Sequence, residues 1–181
     1  RHTSFDIKEP GLNILPPGVE RYIVNGGGLT GIQILPDDEI EIINDEGNQV
    51  CEISVFDKDG NSNLQILNLK EKKDTSEIVK ILSKKNESSL TANYQLKKRN
   101  IKINKSKSAV LFNRDTVPGE KIKLNSKDKC YCIFSAPGPD MIIHEQNPNT
   151  DLTIFVRRAE IKKDKEHSII PDPMFDPLHE E

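Results

Sequence analysis

The sequence predicts a mainly β domain, an antiparallel sandwich or barrel with one or two short helices. Three observations carry this. Short runs rich in Ile and Val alternate with polar residues through most of the chain. Pro, Gly and Asn clusters separate those runs. Clear helical spacing of apolar residues occurs in one stretch, Asp74 to Lys84.

The elements follow in order. Residues 1–18 read as an irregular arm, broken by Pro10-Gly11 and Pro16-Pro17-Gly18. The β domain then runs over 19–159. Val19 to Val24 is its first strand and Leu29 to Leu35 its second, with Gly26-Gly27-Gly28 between them. A triple glycine can suggest a phosphate-binding loop, but no Gly-Lys-Ser/Thr follows and no helix opens after it, so a turn or bulge is the better reading. Pro36-Asp37-Asp38 turns into the stretch from Ile34 to Gly60, which reads as a hairpin. Ile40 and Ile42 alternate with Glu39 and Glu41 on one strand, and Val50, Ile53 and Val55 mark the other. Asp45-Glu46-Gly47-Asn48 forms the turn, with Gly47 at positive φ.

Leu64 to Leu69 is a short apolar segment of either type. In the helix, Asp74 and Glu77 make a capping box, and Ile78, Val79, Ile81 and Leu82 share a face that covers the sheet. Ser89 to Leu96 suits a second short helix. Strands return at Ser108 to Asn113, Lys121 to Leu124, Lys129 to Ser135, Met141 to Glu145 and Leu152 to Arg158. Residues 160–181, charged and then Pro-rich, read as a linker or tail.

Composition narrows the function. The 181 residues suffice for one domain with a real core. A net charge of -3, from 26 basic and 29 acidic residues, gives no reason to expect nucleic-acid binding. No apolar run approaches the ~20 residues of a membrane span, and the start lacks the apolar core of a signal peptide. Three cysteines make no disulfide framework and suit a reduced, cytoplasmic protein. The chain begins with Arg1 and ends on Pro177-Leu178-His179-Glu180-Glu181, which suggests a fragment of something longer.

Candidate chemistry is sparse. Cys130 and Cys132 sit two apart on a strand, so their thiols share a face, and His144 lies on a later strand. A Cys-Cys-His metal site on these three lacks a fourth ligand and the Cys-x-x-Cys knuckle, so packing as small hydrophobes is the stronger reading, and no metal is expected. Cys51 is a candidate core residue. Glu39, Glu41, Glu52, Asp115 and Glu120 lie near strand ends, where a pair could serve as acid and base. His2, His167 and His179 fall in the arms. Lys97, Lys98, Arg99, Lys102, Lys105 and Lys107 form a basic run without interleaved aromatics, either a solvated face or a patch for an anionic partner.

Two stretches carry a family resemblance. The segment from Pro36 to Phe56, with Asp45, Gly47, Gln49 and Glu52, resembles the D-x-x-G-x-Q turn and following acidic residue of the urea carboxylase-associated family. Arg114-Asp115-Thr116-Val117-Pro118-Gly119 resembles that family's second motif. Val19 to Val24 with Gly26-Gly27-Gly28, and the ending Phe175 to Glu180, look like the borders of a β domain that precedes the folate-dependent part of long aminomethyltransferase-like proteins, similar to the T protein of the glycine cleavage system. The resemblance implies a domain of a larger tetrahydrofolate-dependent chain, with that chain's other domains as partners, a small molecule as candidate ligand and no cofactor held in these residues. It also implies a polar site of Gln49, Glu52 and Asp115, joined by Arg114 and Lys121.

The chain departs from the family pattern at two points. Glu52 stands where the family has Asp, and Glu120, Lys121 and Ile122 stand where the family has a His-Asp pair. The departures favour a non-catalytic accessory domain over the alternative, an autonomous carboxylate- or metal-using enzyme of the urea carboxylase-associated type.

Overall fold

A computed structural model describes residues 7–8, 16–72, 77–83, 86–138 and 150–159. Two sheets, antiparallel except for one short edge strand, face each other, and helices cover the outer side of one. The strands are β1 (Ile7–Lys8), β2 (Val19–Val24), β3 (Leu29–Ile34), β4 (Glu39–Asn44), β5 (Cys51–Phe56), β6 (Ser108–Leu111), β7 (Glu120–Asn125), β8 (Cys130–Ser135) and β9 (Leu152–Arg157). The first sheet has the order β1-β3-β8-β5-β6 and the second β2-β9-β4-β7. Every connection from β2 to β9 except β5–β6 passes from one sheet to the other. That winding is a jelly roll, which resolves the expected sandwich or barrel in favour of two packed sheets.

The alternation in the strands explains the interior. Ile32 and Ile34 of β3, Ile40 and Ile42 of β4, Cys51, Ile53 and Val55 of β5, and Leu152, Ile154 and Val156 of β9 all turn into one core with Cys130, Cys132 and Phe134 of β8. These residues are β-branched or compact, which suits a pleated surface packed on another sheet. Side chains fill the space between the sheets.

The expected hairpin between β4 and β5 is a correction. The strands exist as read, but β4 pairs with β7 and β9, while β5 pairs with β6 and β8. The turn is a corner from one sheet to the other, and Ile40 and Ile42 face Ile53 and Val55 across the core instead of lying beside them. Alternation reports which side of a strand is buried and not which strand is its neighbour. Gly47 has the expected positive φ of 75°.

Two helices form the third layer. Helix α1 (Glu77–Leu82) lies within the helical stretch read from the sequence, whose Asp74 falls outside the described residues. Helix α2 (Glu87–Lys98) begins at Asn86, whose side chain accepts from Ser89 N at 2.8 Å. It ends in a Schellman motif: Ile101 N donates to Leu96 O and Asn100 N to Lys97 O, both at 2.9 Å, with Asn100 at φ 58°. Ile78, Leu82, Ala92, Leu96 and Ile101 pack against Phe56 and Ile133 on the outer side of the first sheet. Both sides of β5 are therefore covered, and all six of its residues are buried although the sequence Cys-Glu-Ile-Ser-Val-Phe alternates.

Further details differ from the sequence reading. Ile7–Lys8, placed in an irregular arm, adds a short parallel strand beside β3. Leu64–Leu67 is a 3-10 turn. The Met141 to Glu145 strand and the tail at 160–181 lie outside the described residues.

Candidate functional site

Four connections meet at one end of the jelly roll: β2–β3, β4–β5, β6–β7 and β8–β9. Gln49 is their hub. Its side-chain amide donates to Pro137 O at 2.8 Å and its oxygen accepts from Thr150 N at 2.9 Å. It thereby bridges the two described ends of the β8–β9 connection. The Arg114 guanidinium reaches the same Pro137 carbonyl at 3.4 Å. Gly27 N donates to Ala136 O and Gly26 N to the Asp151 carboxylate, both at 2.8 Å.

The β4–β5 corner is tied from within and from its neighbour. Asn44 Nδ2 donates to Gln49 O at 2.7 Å. Gly119 N donates to Asn44 O at 2.7 Å, and Asn48 N to Thr116 O at 2.8 Å. The Thr153 hydroxyl donates to the Asp45 carboxylate. Among the described residues, Asn44 Oδ1 and Thr150 Oγ1 are buried without a hydrogen-bond partner. This end of the fold is rich in amides, hydroxyls and backbone groups, most of them engaged with one another.

Of the residues expected to share a pocket, Gln49 and Arg114 meet at Pro137 O. Asp115 is exposed on the loop that follows β6. Lys121 is exposed on β7, opposite Ile43 in the second sheet. Glu52 lies on the helix-covered side of the first sheet. Its carboxylate pairs with Lys72 Nζ at 2.6 Å and accepts from Ile78 N at 3.1 Å, so it acts as a buried cap for the first turn of α1.

Cys130 and Cys132 point the same way, as their spacing requires, and their sulfurs lie 3.7 Å apart in the core. Burial pushes the Cys132 thiol up, and its contact with Cys130 leaves Cys130 the more acidic of the two. Cys51 is fully buried. His144 lies outside the described residues, among which no group of three His, Cys, Asp or Glu side chains is placed to hold a metal ion.

The sequence reading missed a buried ion cluster at the opposite end of the roll. Arg158 bridges Asp38 and Glu20, each at 2.7 Å, and donates to Gln33 O at 2.8 Å. Asp38 also accepts from Leu35 N and Ala159 N at 2.9 Å, and the Tyr22 hydroxyl donates to Glu20. The partners lie far apart in sequence. The signal that was present was an acidic residue on each of two segments, Glu20 and Asp38, together with an arginine just past a strand end.

No family model matches the chain. It is similar to trimethylamine-oxide aldolase of Ruegeria pomeroyi, with 30% identity over 172 residues covering 95% of this chain and 22% of that protein. The chain thus spans about a fifth of the length of the curated relative it matches. A relative of this domain lies within a longer protein.

Proposed function

We propose that this chain is an accessory, non-catalytic domain of a longer aminomethyltransferase-like, tetrahydrofolate-dependent enzyme, packing against that enzyme's other domains. One observation carries the reading. Gln49 and Glu52, which carry the resemblance, use their side chains to hold their own fold together: Gln49 joins the ends of a loop, and Glu52 ties a helix to the sheet. A catalytic acid or base needs instead to converge with other groups on a cavity that admits substrate. The likeness to a fifth of a longer protein supports a domain working beside others. The relative's name gives its substrate as trimethylamine oxide, in which carbon is bonded to nitrogen as it is in an aminomethyl group.

The 181-residue chain, purified and offered tetrahydrofolate with an aminomethyl donor or with trimethylamine oxide, is expected to show no turnover. Turnover that disappears in a folded Glu52→Gln or Asp115→Asn variant overturns the accessory reading. Co-elution of the chain with a separately expressed folate-dependent portion supports interdomain packing.

A further inference from the structure

On the helical side of the fold, the second half of α2 and the segment that follows it enclose a groove of about 580 Å³. That is within the range of small-molecule sites, ~300–1,000 Å³. Its apolar lining is Leu96, Ile101 and Ile103, and its charged lining is Lys97, Lys102 and Lys105. Asn93, Asn100 and Asn104 complete it, and no carboxylate lines it. Leu96 and Ile101 are buried as part of the helix-side core, while the three lysines are exposed. Among the described residues, no Asp or Glu oxygen lies within salt-bridge distance of those lysines.

We infer that this groove binds a small organic anion, a carboxylate or phosphate carried on an apolar body. The inference stands apart from the proposed accessory role. A solvated basic face is the competing account, and two features weigh against it. Lys97 answers the partial negative charge at the C-terminus of α2 and Lys105 that of the 3-10 turn Ile103–Lys105, but Lys102 stands at the start of that turn and has no such charge to answer. The groove also has a built wall. Lys102 N donates to Gly60 O at 2.9 Å and Lys102 Nζ to Asn61 Oδ1 at 2.9 Å, which holds that ammonium against the turn at 57–61. Gly60 packs so closely that an added Cβ would come within 1.8 Å of Asn100 O. Cations around a partly apolar groove, one of them held in place, favour a ligand with one charged end and one apolar end.

The test follows backbone amide chemical shifts of the 181-residue chain during titration with phenyl phosphate. Benzyl alcohol serves as the neutral control and inorganic phosphate as the purely polar one. The expected result is saturable shifts confined to residues 93–105, weaker binding of both controls, and loss of affinity at high salt. Reversing two exposed charges together, Lys97→Glu with Lys105→Glu, should weaken phenyl phosphate about tenfold while the rest of the spectrum keeps its dispersion. The milder Lys97→Gln with Lys105→Gln pair should give a smaller loss. Absence of saturable shifts in this segment, equal binding of benzyl alcohol or inorganic phosphate, or affinity unchanged in both variants overturns the inference.

Discussion

Arg158 Nη1 lies 2.7 Å from the Asp38 carboxylate, and both side chains are sealed from solvent. The same guanidinium holds Glu20, so one cation serves two buried anions. Removing it leaves both carboxylates buried side by side. Arg158→Met should cost about 3–5 kcal/mol in urea unfolding. Arg158→Lys keeps the charge but cannot fork between two carboxylates and should recover only part of that loss. A loss below about 1 kcal/mol for Arg158→Met would show that the cluster contributes little.

Stability should fall in mild alkali. Burial raises the Tyr22 phenol above its ordinary value, with the neighbouring Glu20 charge acting in the same direction. Burial does the same to the Cys51 thiol, aided by Glu52. Each group keeps its proton in the fold at a pH where the unfolded chain releases it. The stability they contribute is complete below the unfolded values, about 8.5 for Cys and 10 for Tyr, and is lost as pH rises through the raised ones. The urea midpoint should therefore decline from about pH 8.5 upward. Cys51→Ala should lower the midpoint at neutral pH and make the alkaline decline shallower. A midpoint constant to pH 11 contradicts this, on the scale set by an unfolded Tyr pKa of about 10.

Gly47 is restricted twice over. Its φ of 75° disfavours any side chain, and a Cβ there would meet Thr116 O at 2.7 Å and Pro118 N at 2.8 Å. Both atoms are backbone and cannot swing aside. Gly47→Ala should exceed the roughly 1 kcal/mol of the dihedral cost alone, and Gly47→Val should be worse. A neutral Gly47→Val in thermal denaturation would rule out this corner geometry.

Glu52 couples α1 to the sheet. Glu52→Gln removes the charge facing Lys72 and weakens the bond to Ile78 N, and should cost about 1–3 kcal/mol. Because the bond lies at the start of α1, hydrogen exchange should accelerate across Glu77–Leu82. Uniform acceleration over the whole chain, with no excess in α1, would speak against this role.

The strands were legible in the sequence because alternation of Ile and Val with polar residues is a local property. β2, β4, β7 and β9 start and stop within a residue or two of where the pattern breaks. The pairing was not legible. The corner at Asn44–Cys51 has the composition of a hairpin turn, and only partners remote in sequence decide which sheet each strand joins. Glu52, expected in a polar pocket, is buried under the helices together with Ser54, and nothing local in the sequence announces that cover. Of the residues named in the two motifs, Gln49 and Arg114 meet at the Pro137 carbonyl, a partner that neither motif contains. The separation of Glu52 from that end follows from pleat direction, which sends its side chain outward while Cys51 and Ile53 face the core.

The bridge made by Gln49 has a consequence for how this domain can change. Pro137 and Thr150 are fixed to one buried amide, so the residues just past β8 and just before β9 are latched by a side chain that belongs to a different connection. A change at Gln49 therefore reaches a strand end in each sheet at once, at the end of the roll where four connections converge.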